Sequence, residues 1–440
     1  MSGPWAGRRL HLIGAGGTGM SGYARAAVAL GATVTGSDAA ASEYARLLRE
    51  DGVLDVRIGH DAANIPAGAD VEVVHSTAIG AHNVERRAAA ERGLRELTRA
   101  ELLGELTALR RTIAVGGTHG KTTTSAMLVT ILTAAGLDPG WLIGASAGAG
   151  LPNARWSEGE WLIVEADESD RSLLAIDAQI AVLLNVELDH GDVFSSLGEL
   201  RELFADFLRG APQAVLCAGG GLEELRADAA LASPGHVELV EGGSRFEWCS
   251  EPVALRVPGV HNARNAAAAL EAARLAGAAA RPAAASLAAF AGAGRRFELV
   301  GEHAGARLYS DYAHHPSEVV ATLAGARTVP HERLIAVFQP HMFSRTSLFA
   351  GAFGAALAAA DLAVVLDVYP ARERAAEHPG VSGLLVARAA ADAGDGRTVR
   401  WAPALEDAQA ALRELLRPGD ICVVMGAGDV DELARRVVER

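Results

Sequence analysis

Lysine is almost absent from this sequence. The 440 residues include 40 Lys plus Arg, yet Lys121 is the only lysine and all the others are arginines. No second lysine exists to form a Schiff base or a carbamylated metal ligand. An ammonium group is compact, whereas a guanidinium is a broad planar fork. The single lysine therefore indicates a site whose shape excludes arginine.

Cysteine and long apolar runs are also scarce. Cys217, Cys249 and Cys422 are widely spaced and form no metal-binding or redox motif. No run approaches the roughly 20 apolar residues of a membrane span, and the first residues, MSGPWAGRRLHLIG, do not resemble a signal peptide. We therefore expect a cytoplasmic protein without a membrane partner.

The charge balance disfavours one further class of partner. The formal net charge is −14, so the average surface repels nucleic acid. Anionic small molecules would need local positive sites. Half of the residues are hydrophobic and 21% are charged, which is typical of a globular enzyme. Monomer and homodimer both fit this composition.

Apolar runs that end in glycine or polar residues alternate with alanine-rich helical stretches. This alternation predicts parallel sheets covered by helices, hence an α/β fold. The chain divides into three predicted domains: residues 1–106, Rossmann-like; 107–296, a central mononucleotide-binding domain with a phosphate loop (P-loop); and 297–440, again Rossmann-like. Ligands of such sheets bind beyond the carboxyl ends of the strands.

The lysine lies in IAVGGTHGKTTT, which predicts a strand, a glycine turn and a helix. Glycines at the positive end of a helix free backbone N–H groups to bind phosphate. Lys121 would reach the terminal phosphates of ATP, and the Thr122 hydroxyl would bind Mg²⁺. Val115 stands where the usual spacing requires glycine, so a glycine turn with an incidental lysine is the alternative. The predicted loop comprises Gly116, Gly117, Thr118, His119, Gly120, Lys121, Thr122 and Thr123.

Acidic and polar residues follow the next two apolar strands. Mg²⁺ prefers oxygen ligands and keeps several waters, so one or two such groups beside a phosphate suffice. Helix capping is the alternative role for these residues. EADESD contributes Glu165, Asp167, Glu168 and Asp170, and NVELDH contributes Asn185, Asp189 and His190.

A second glycine turn, GAGGTG at residues 14–19, follows the first predicted strand. The pattern suits a dinucleotide, with Asp38 near a ribose, but it equally suits the diphosphate of a nucleotide sugar. A turn without a ligand is the third alternative.

The last third of the chain contains a cluster of histidines. SDYAHHPSE and FQPHMFSRT supply Asp311, Tyr312, His314, His315, His341 and Arg345. Adjacent histidines suggest zinc, but no third ligand stands at a recognisable spacing. Substrate binding and acid–base chemistry are favoured, since histidine titrates near neutral pH.

Together these motifs resemble the Mur ligases over nearly the whole chain. HLIGAGGTGMSG, GGTHGKTTT, EADESD, VELDH, VHNARNAAAA, AGAGRRFE, SDYAHHPSE and FQPHMFSRT occur in the order found in that family, and the shortened phosphate loop is the form the family uses. The resemblance is to the branch that joins L-alanine to UDP-N-acetylmuramate in peptidoglycan synthesis. It implies ATP and two Mg²⁺ ions as cofactors.

The resemblance also implies residue roles. The UDP-sugar would contact Gly14, Gly16, Gly17, Thr18, Gly19, Asp38 and Ser76. Beyond the lysine loop, ATP would contact His261, Asn262, Asn265, Arg296 and Asp311. Mg²⁺ would be held by Thr122, Glu165 and His190. The amino acid would meet Tyr312, His314 and Arg345, and the catalytic residues would be Lys121, His314 and Arg345.

Two departures from the family pattern stand out. Met342 occupies a position that is often basic in the family, so recognition of the amino-acid carboxylate would depend more on Arg345. No lysine follows His190, although some sister ligases carry a carbamylated lysine there. This second departure fits the alanine-adding branch.

Three other functions are compatible with parts of the sequence. A recycling ligase would join a preformed tripeptide to the same nucleotide sugar. A nicotinamide-dependent oxidoreductase would use GAGGTG and Asp38 but leaves the lysine loop unexplained. A regulatory ATPase would hydrolyse ATP regardless of UDP-N-acetylmuramate.

Overall fold

The computed structural model describes residues 3–148, 150–189, 193–219 and 221–439. Its first sheet contains five parallel strands in the order β3-β2-β1-β4-β5. Buried aliphatic residues of RLHLI make β1 the central strand. The elements are β1 Arg9–Ile13, α1 Thr18–Ala29, β2 Thr33–Asp38, α2 Glu43–Glu50, β3 Arg57–Ile58, β4 Val71–His75, α3 Val84–Glu91, β5 Glu96–Thr98 and α4 Arg99–Thr107.

The second sheet contains the lysine loop. Its strand order is β12-β11-β10-β6-β9-β7-β8, and every pair is parallel except β7 with β8. β6 lies between β9 and β10, so the segments that follow these three strands meet at one edge. The elements are β6 Arg111–Gly116, α5 Lys121–Ala134, β7 Gly140–Leu142, β8 Ala154–Arg155, β9 Trp161–Glu165, β10 Ile180–Leu183, α6 Leu197–Arg209, β11 Gln213–Cys217 and β12 Ala230–Ala232.

A small antiparallel sheet and two helices follow. The strands β13 Glu238–Val240, β14 Gly243–Trp248 and β15 Glu251–Leu255 form the sheet β13-β14-β15. The helices are α7 Val260–Leu275 and α8 Ala280–Ser286.

The last sheet has the order β16-β17-β21-β18-β19-β20, with only β16 antiparallel to its neighbour. Its apolar strands are buried by helices on both faces, which explains their continuous aliphatic sequences. The elements are β16 Glu298–His303, β17 Ala306–Asp311, α9 Pro316–Ala326, β18 Leu334–Phe338, α10 Phe343–Leu357, β19 Leu362–Val365, α11 Gly383–Ala393, β20 Thr398–Trp401, α12 Leu405–Leu415, β21 Ile421–Met425 and α13 Asp431–Val438.

The predicted α/β fold with parallel sheets is confirmed. The chain forms two compact units. The first comprises 1–187, 197–233 and 267–286, and the second comprises 188–196, 234–266 and 287–440. The domain boundaries at 106 and 296 stay predictions. Among the helices of the described residues, none has the length and apolarity needed to cross a membrane.

Glu85 of α3 has a buried carboxylate that contacts residues of the first sheet. Both oxygens of Glu85 are hydrogen-bonded: Ser37 and His11 donate to one at 2.6 and 3.0 Å, and Asn64 donates to the other at 2.8 Å. Burial alone would raise the pKa of Glu85, but these donors outweigh it and lower the pKa to about 2. The ionised form is therefore stabilised by folding.

Replacing Glu85 with glutamine should destabilise the protein in a pH-dependent manner. Because the pKa falls from 4.5 to about 2 on folding, ionised Glu85 contributes about 3 kcal/mol above pH 4.5, a contribution lost as the pH falls towards 2. Denaturant unfolding of both proteins at pH 7 and at successively lower pH measures the difference. We expect the gap between the two free energies of unfolding to shrink below pH 4.5. A gap that stays constant with pH would contradict the assignment.

Candidate active site

Lys121 is the first residue of α5 and follows a tight glycine turn. Gly117 and Gly120 have φ values of +131° and +86°, a left-handed region that favours glycine. A Cβ added to Gly117 would also lie 3.1 Å from the backbone nitrogen of Asn185. The turn thus leads from the carboxyl end of β6 into the positive end of a helix, as the sequence predicted.

The Lys121 ammonium contacts its own loop and one buried carboxylate. Nζ donates to the Gly117 carbonyl at 2.6 Å, and it lies 2.8 Å from a Glu168 oxygen. Burial alone would lower the pKa of Lys121, but the charges of Glu168 and Asp167 outweigh it and raise the pKa above its ordinary value. The lysine is therefore protonated at neutral pH.

The other carboxylates of EADESD have a different cation as partner. Arg99, the first residue of α4, lies 3.1 Å from Asp167 and 2.6 Å from Asp170. Burial would raise the pKa of Asp167, yet Arg99 and Lys121 lower it overall. Both aspartates are thus engaged in protein contacts, which leaves Glu165 as the metal-ligand candidate of this segment.

Glu165 ends β9, next to the lysine loop in the sheet register. One of its oxygens accepts the Gly144 N–H at 2.5 Å. Thr122, the other predicted ligand, is buried in the first turn of α5. Both offer oxygen atoms, which is the donor type Mg²⁺ prefers. The third predicted ligand, His190, lies outside the described residues.

The segment after β10 holds the lysine loop from the other side. The Asn185 side chain accepts the His119 N–H at 2.8 Å and donates to the His119 carbonyl at 2.9 Å. The Thr118 hydroxyl donates to the Glu187 carbonyl at 3.1 Å and accepts the N–H of the same residue at 3.0 Å. Asn185, one of the residues predicted at the end of this strand, and Glu187, which was not predicted, therefore fix the conformation of the loop.

The N-terminal glycine turn is ordered by its neighbours in the sheet. Gly14, with φ +84°, donates to the Ser37 carbonyl, and an added Cβ there would lie 3.1 Å from the Ser76 side chain. Asp38 accepts the Gly16 N–H at 2.9 Å. The structure thus brings the predicted residues together. It places the Asp38 carboxylate on the turn itself, and its contact with a ribose stays a prediction.

In the second unit, Arg345 lies in a buried cluster. Its Nε and Nη2 donate to one oxygen of Asp189 at 3.1 and 2.8 Å, and its Nη1 is 3.2 Å from His341 Nδ1. Burial, His314 and Arg345 lower the pKa of His341 to about 3. Because a guanidinium can only donate, His341 accepts through Nδ1 and carries its proton on Nε2. Asp189, predicted among the strand-end ligands, is paired with Arg345.

His314 is neutral and has one nitrogen directed by the backbone. Its Nδ1 is 2.9 Å from the Tyr312 carbonyl, which can only accept, so the proton is on Nδ1 and Nε2 is the acceptor. Burial lowers the pKa of His314 to about 4. Its ring contacts His341 edge-on, with 6.1 Å between the ring centres. The predicted amino-acid residues His314 and Arg345 therefore belong to one cluster.

Arg296 and Tyr312, which are predicted to bind different substrates, are in contact with each other. The guanidinium of Arg296 lies 4.9 Å from the centre of the Tyr312 ring, and that of Arg295 lies 4.8 Å from it. These distances are typical of cation–π contacts. The candidate phosphate ligand Arg296 and the candidate amino-acid contact Tyr312 are thus neighbours.

Asp311 has a structural role within the second unit. Its two oxygens accept the N–H groups of Phe297 and Ala313, both at 2.8 Å. Burial raises the pKa of this carboxyl. The residue fixes the segment after Arg296 against the end of β17, and its contact with the ribose of ATP stays a prediction.

The remaining predicted ATP residues begin α7. Asn262 donates to the Pro258 carbonyl at 2.7 Å, and its Oδ1 lies 3.5 Å from Asn265 Nδ2. Burial lowers the pKa of His261 to about 4, so its imidazole is neutral. All three residues lie within the first two turns of the helix.

Family models match three consecutive stretches of the chain. Residues 9–111 match the Mur ligase family catalytic domain, residues 115–273 match the Mur ligase middle domain, and residues 295–428 match the Mur ligase glutamate ligase domain.

Curated relatives match almost the full length. A protein named UDP-N-acetylmuramate–L-alanine ligase from Rhodococcus jostii (strain RHA1) is 39% identical, with 98% of this chain and 96% of the relative covered. A protein of the same name from Nitratidesulfovibrio vulgaris (strain DP4) is 40% identical, with 98% of each covered.

Solved structures share the fold. The UDP-N-acetylmuramate-alanine ligase MurC of Thermotoga maritima superposes with a TM-score of 0.84 at 24% identity, covering 98% of both chains. The murein peptide ligase of Psychrobacter arcticus 273-4 gives a TM-score of 0.71 at 25% identity, again covering 98% of both chains.

Proposed function

The chain belongs to the Mur ligase family, and we propose that it joins L-alanine to the carboxylate of UDP-N-acetylmuramate with the consumption of ATP. This is a step in the synthesis of the peptidoglycan precursor. The observation that carries the proposal is the full-length identity of about 40% to ligases of that name. We place the reaction in the cytoplasm.

The reaction proceeds in two chemical steps. The muramyl carboxylate attacks the γ-phosphorus of ATP, which gives an acyl phosphate and ADP. The neutral amine of L-alanine then attacks the acyl carbon, and a tetrahedral intermediate expels inorganic phosphate as the amide bond forms. The ammonium form of alanine loses one proton before the attack, and the attacking nitrogen loses a second proton as the amide forms.

The lysine loop counters the main electrostatic barrier of the first step. A carboxylate that approaches a triphosphate is repelled by charges of the same sign. Protonated Lys121 and the N-terminus of α5 supply positive charge where negative charge develops. Lys121 would exchange its contacts with Gly117 and Glu168 for phosphate oxygens.

The oxygen donors near the loop fit Mg²⁺. Thr122 and Glu165 would hold a first ion, and His190 a second. When bound, the ions supply Lewis-acid neutralisation of the phosphate oxygens. Asn185 keeps the loop in place through its two hydrogen bonds to His119.

The buried cluster of the second unit would bind the amino acid. Arg345 would pair with the alanine carboxylate, and Nε2 of His314 would accept a hydrogen bond or a proton from the amine. A pKa of about 4 makes His314 a weak base by itself. The anionic substrates around it would raise that pKa and favour proton transfer.

Release of phosphate from ATP tests the function directly. We expect it with UDP-N-acetylmuramate and L-alanine together, and little with either alone. The tripeptide in place of alanine tests the alternative of a recycling ligase. Greater turnover with the tripeptide would replace the proposal by that alternative. Hydrolysis that ignores UDP-N-acetylmuramate would overturn both.

A further inference from the structure

Arg99 lies between the two glycine turns of the first unit, and none of the motifs indicated a role for it. It begins α4, and its guanidinium pairs with Asp170 through Nε at 2.6 Å and with Asp167 through Nη2 at 3.1 Å. Nη2 also lies 3.1 Å from the Ser172 hydroxyl. These contacts hold one edge of the guanidinium plane against the segment that follows β9.

The other edge of the guanidinium faces the N-terminal glycine turn. A Cβ added to Gly19 would lie 3.3 Å from Arg99 Nη1. Gly19 belongs to the first turn of α1, and the N-cap of that helix, Gly17, makes no side-chain capping bond. Nη1 thus adds positive charge at the N-terminus of α1, where the backbone N–H groups already favour an anion.

The Arg99 guanidinium is protonated at neutral pH. Burial alone would lower its pKa, but Tyr23, Asp167 and Asp170 raise it further above its ordinary value. Tyr23 itself, one turn along α1, is buried, and its pKa is raised to about 12. At neutral pH, therefore, a guanidinium cation lies beside a neutral phenol at the start of α1.

We propose that Arg99 is a further substrate-binding residue, whose Nη1 contacts a diphosphate oxygen of the nucleotide sugar at the N-terminal glycine turn. The inference rests on the proposed function, because it takes a uridine diphosphate as the ligand. Asp167 and Asp170 act as positioning groups that fix the direction of the guanidinium. A rigid cation loses little conformational entropy when the anion binds.

Asp167 also connects this cation with the ATP site. The carboxylate pairs with Arg99 and contributes to the raised pKa of Lys121. One carboxylate is therefore placed between the cation proposed for the diphosphate of the sugar and the cation proposed for the phosphates of ATP.

The test compares three ligands with the variant Arg99→Lys. UDP, UDP-N-acetylglucosamine and UDP-N-acetylmuramate share the diphosphate, but only the last has the muramyl carboxylate. Loss of a charged hydrogen bond should weaken all three about ten- to a hundredfold by calorimetry. The KM for UDP-N-acetylmuramate should rise by a similar factor, with a much smaller change in the KM for ATP. A merely structural role would not separate these constants.

Arg95→Lys is the matched control, since Arg95 lies in the same segment but is exposed and pairs with Glu72 and Glu105. It should bind all three ligands as the unaltered chain does. Unchanged binding in Arg99→Lys would overturn the inference. Weakening of UDP-N-acetylmuramate alone would also overturn it, since the contact would then be to the muramyl carboxylate.

Two further results separate the inference from its premise. If the unaltered chain binds no uridine nucleotide, the proposed function fails. If Arg99→Lys does not fold, a crystal structure of the unaltered chain with UDP decides, because a diphosphate oxygen should lie within about 3.5 Å of Nη1. A diphosphate bound beyond hydrogen-bonding reach of Nη1 would overturn the inference and leave the proposed function intact.

Discussion

The variant Lys121→Arg should lose about 10²-fold or more in ATP-dependent turnover, although its positive charge is retained. The glycine turn curves closely around the ammonium, with the Gly117 carbonyl at 2.6 Å and the Thr118 carbonyl at 3.3 Å from Nζ. A planar guanidinium needs more room than these oxygens leave. It would displace the loop or direct its charge away from the γ-phosphate.

Steady-state phosphate release measures the loss, and Lys121→Ala shows how much of it comes from charge. We expect the two variants to be similarly impaired, because position matters as much as sign. Arg155→Lys is the control: it makes the reverse exchange at an exposed ion pair with Asp138 and should leave turnover unchanged. Binding of UDP-N-acetylmuramate should persist in all three proteins. Turnover near that of the unaltered chain in Lys121→Arg would refute this account of the lone lysine.

The strand–glycine–helix units could be predicted because their signals are local. IAVGGTHGKTTT contains an apolar strand, glycines where the backbone has positive φ, and the first turn of α5 within twelve residues. The end of β9 was likewise predictable, since an apolar run stops at Glu165. Parallel strands then bring such ends to one edge of the sheet, which is why Asn185 was found beside the loop.

Pairings between distant residues could not be predicted in this way. EADESD is a single acidic cluster in the sequence. In the structure, however, Glu168 forms an ion pair with Lys121, and the two aspartates form ion pairs with Arg99. The partner Arg99 stands 68 residues before Asp167, in a segment whose sequence shows only a helix start. Which cation neutralises which carboxylate depends on the packing of α4, and no spacing rule contains that information.

The partner of Arg345 could not be predicted from the sequence either. The resemblance carried by FQPHMFSRT implies that Arg345 binds a carboxylate, but the sequence does not indicate that Asp189 is its partner. Because Asp189 is itself a carboxylate, the pair shows that the guanidinium can bind such a group in this geometry. An alanine carboxylate would share Arg345 with Asp189 or replace it.

The variant Arg345→Lys should therefore raise the KM for L-alanine about ten- to a hundredfold and change the KM for ATP much less. A lysine keeps the charge but cannot offer Nε and Nη2 to one oxygen and Nη1 to His341 together. Alanine at position 345 would be less informative. It would leave Asp189 buried without its cation, which typically costs about 3–5 kcal/mol of stability.

Arg333→Lys is the matched control for this experiment. Arg333 also makes two contacts to a buried aspartate, Asp420, at 2.9 and 2.6 Å, but it precedes β18, whereas Arg345 follows that strand. Both variants should lose some thermal stability through the weaker ion pair. Only Arg345→Lys should require more alanine for half-maximal phosphate release. Equal KM values for alanine in the two variants would remove Arg345 from the amino-acid site and assign it to the stability of the second unit alone.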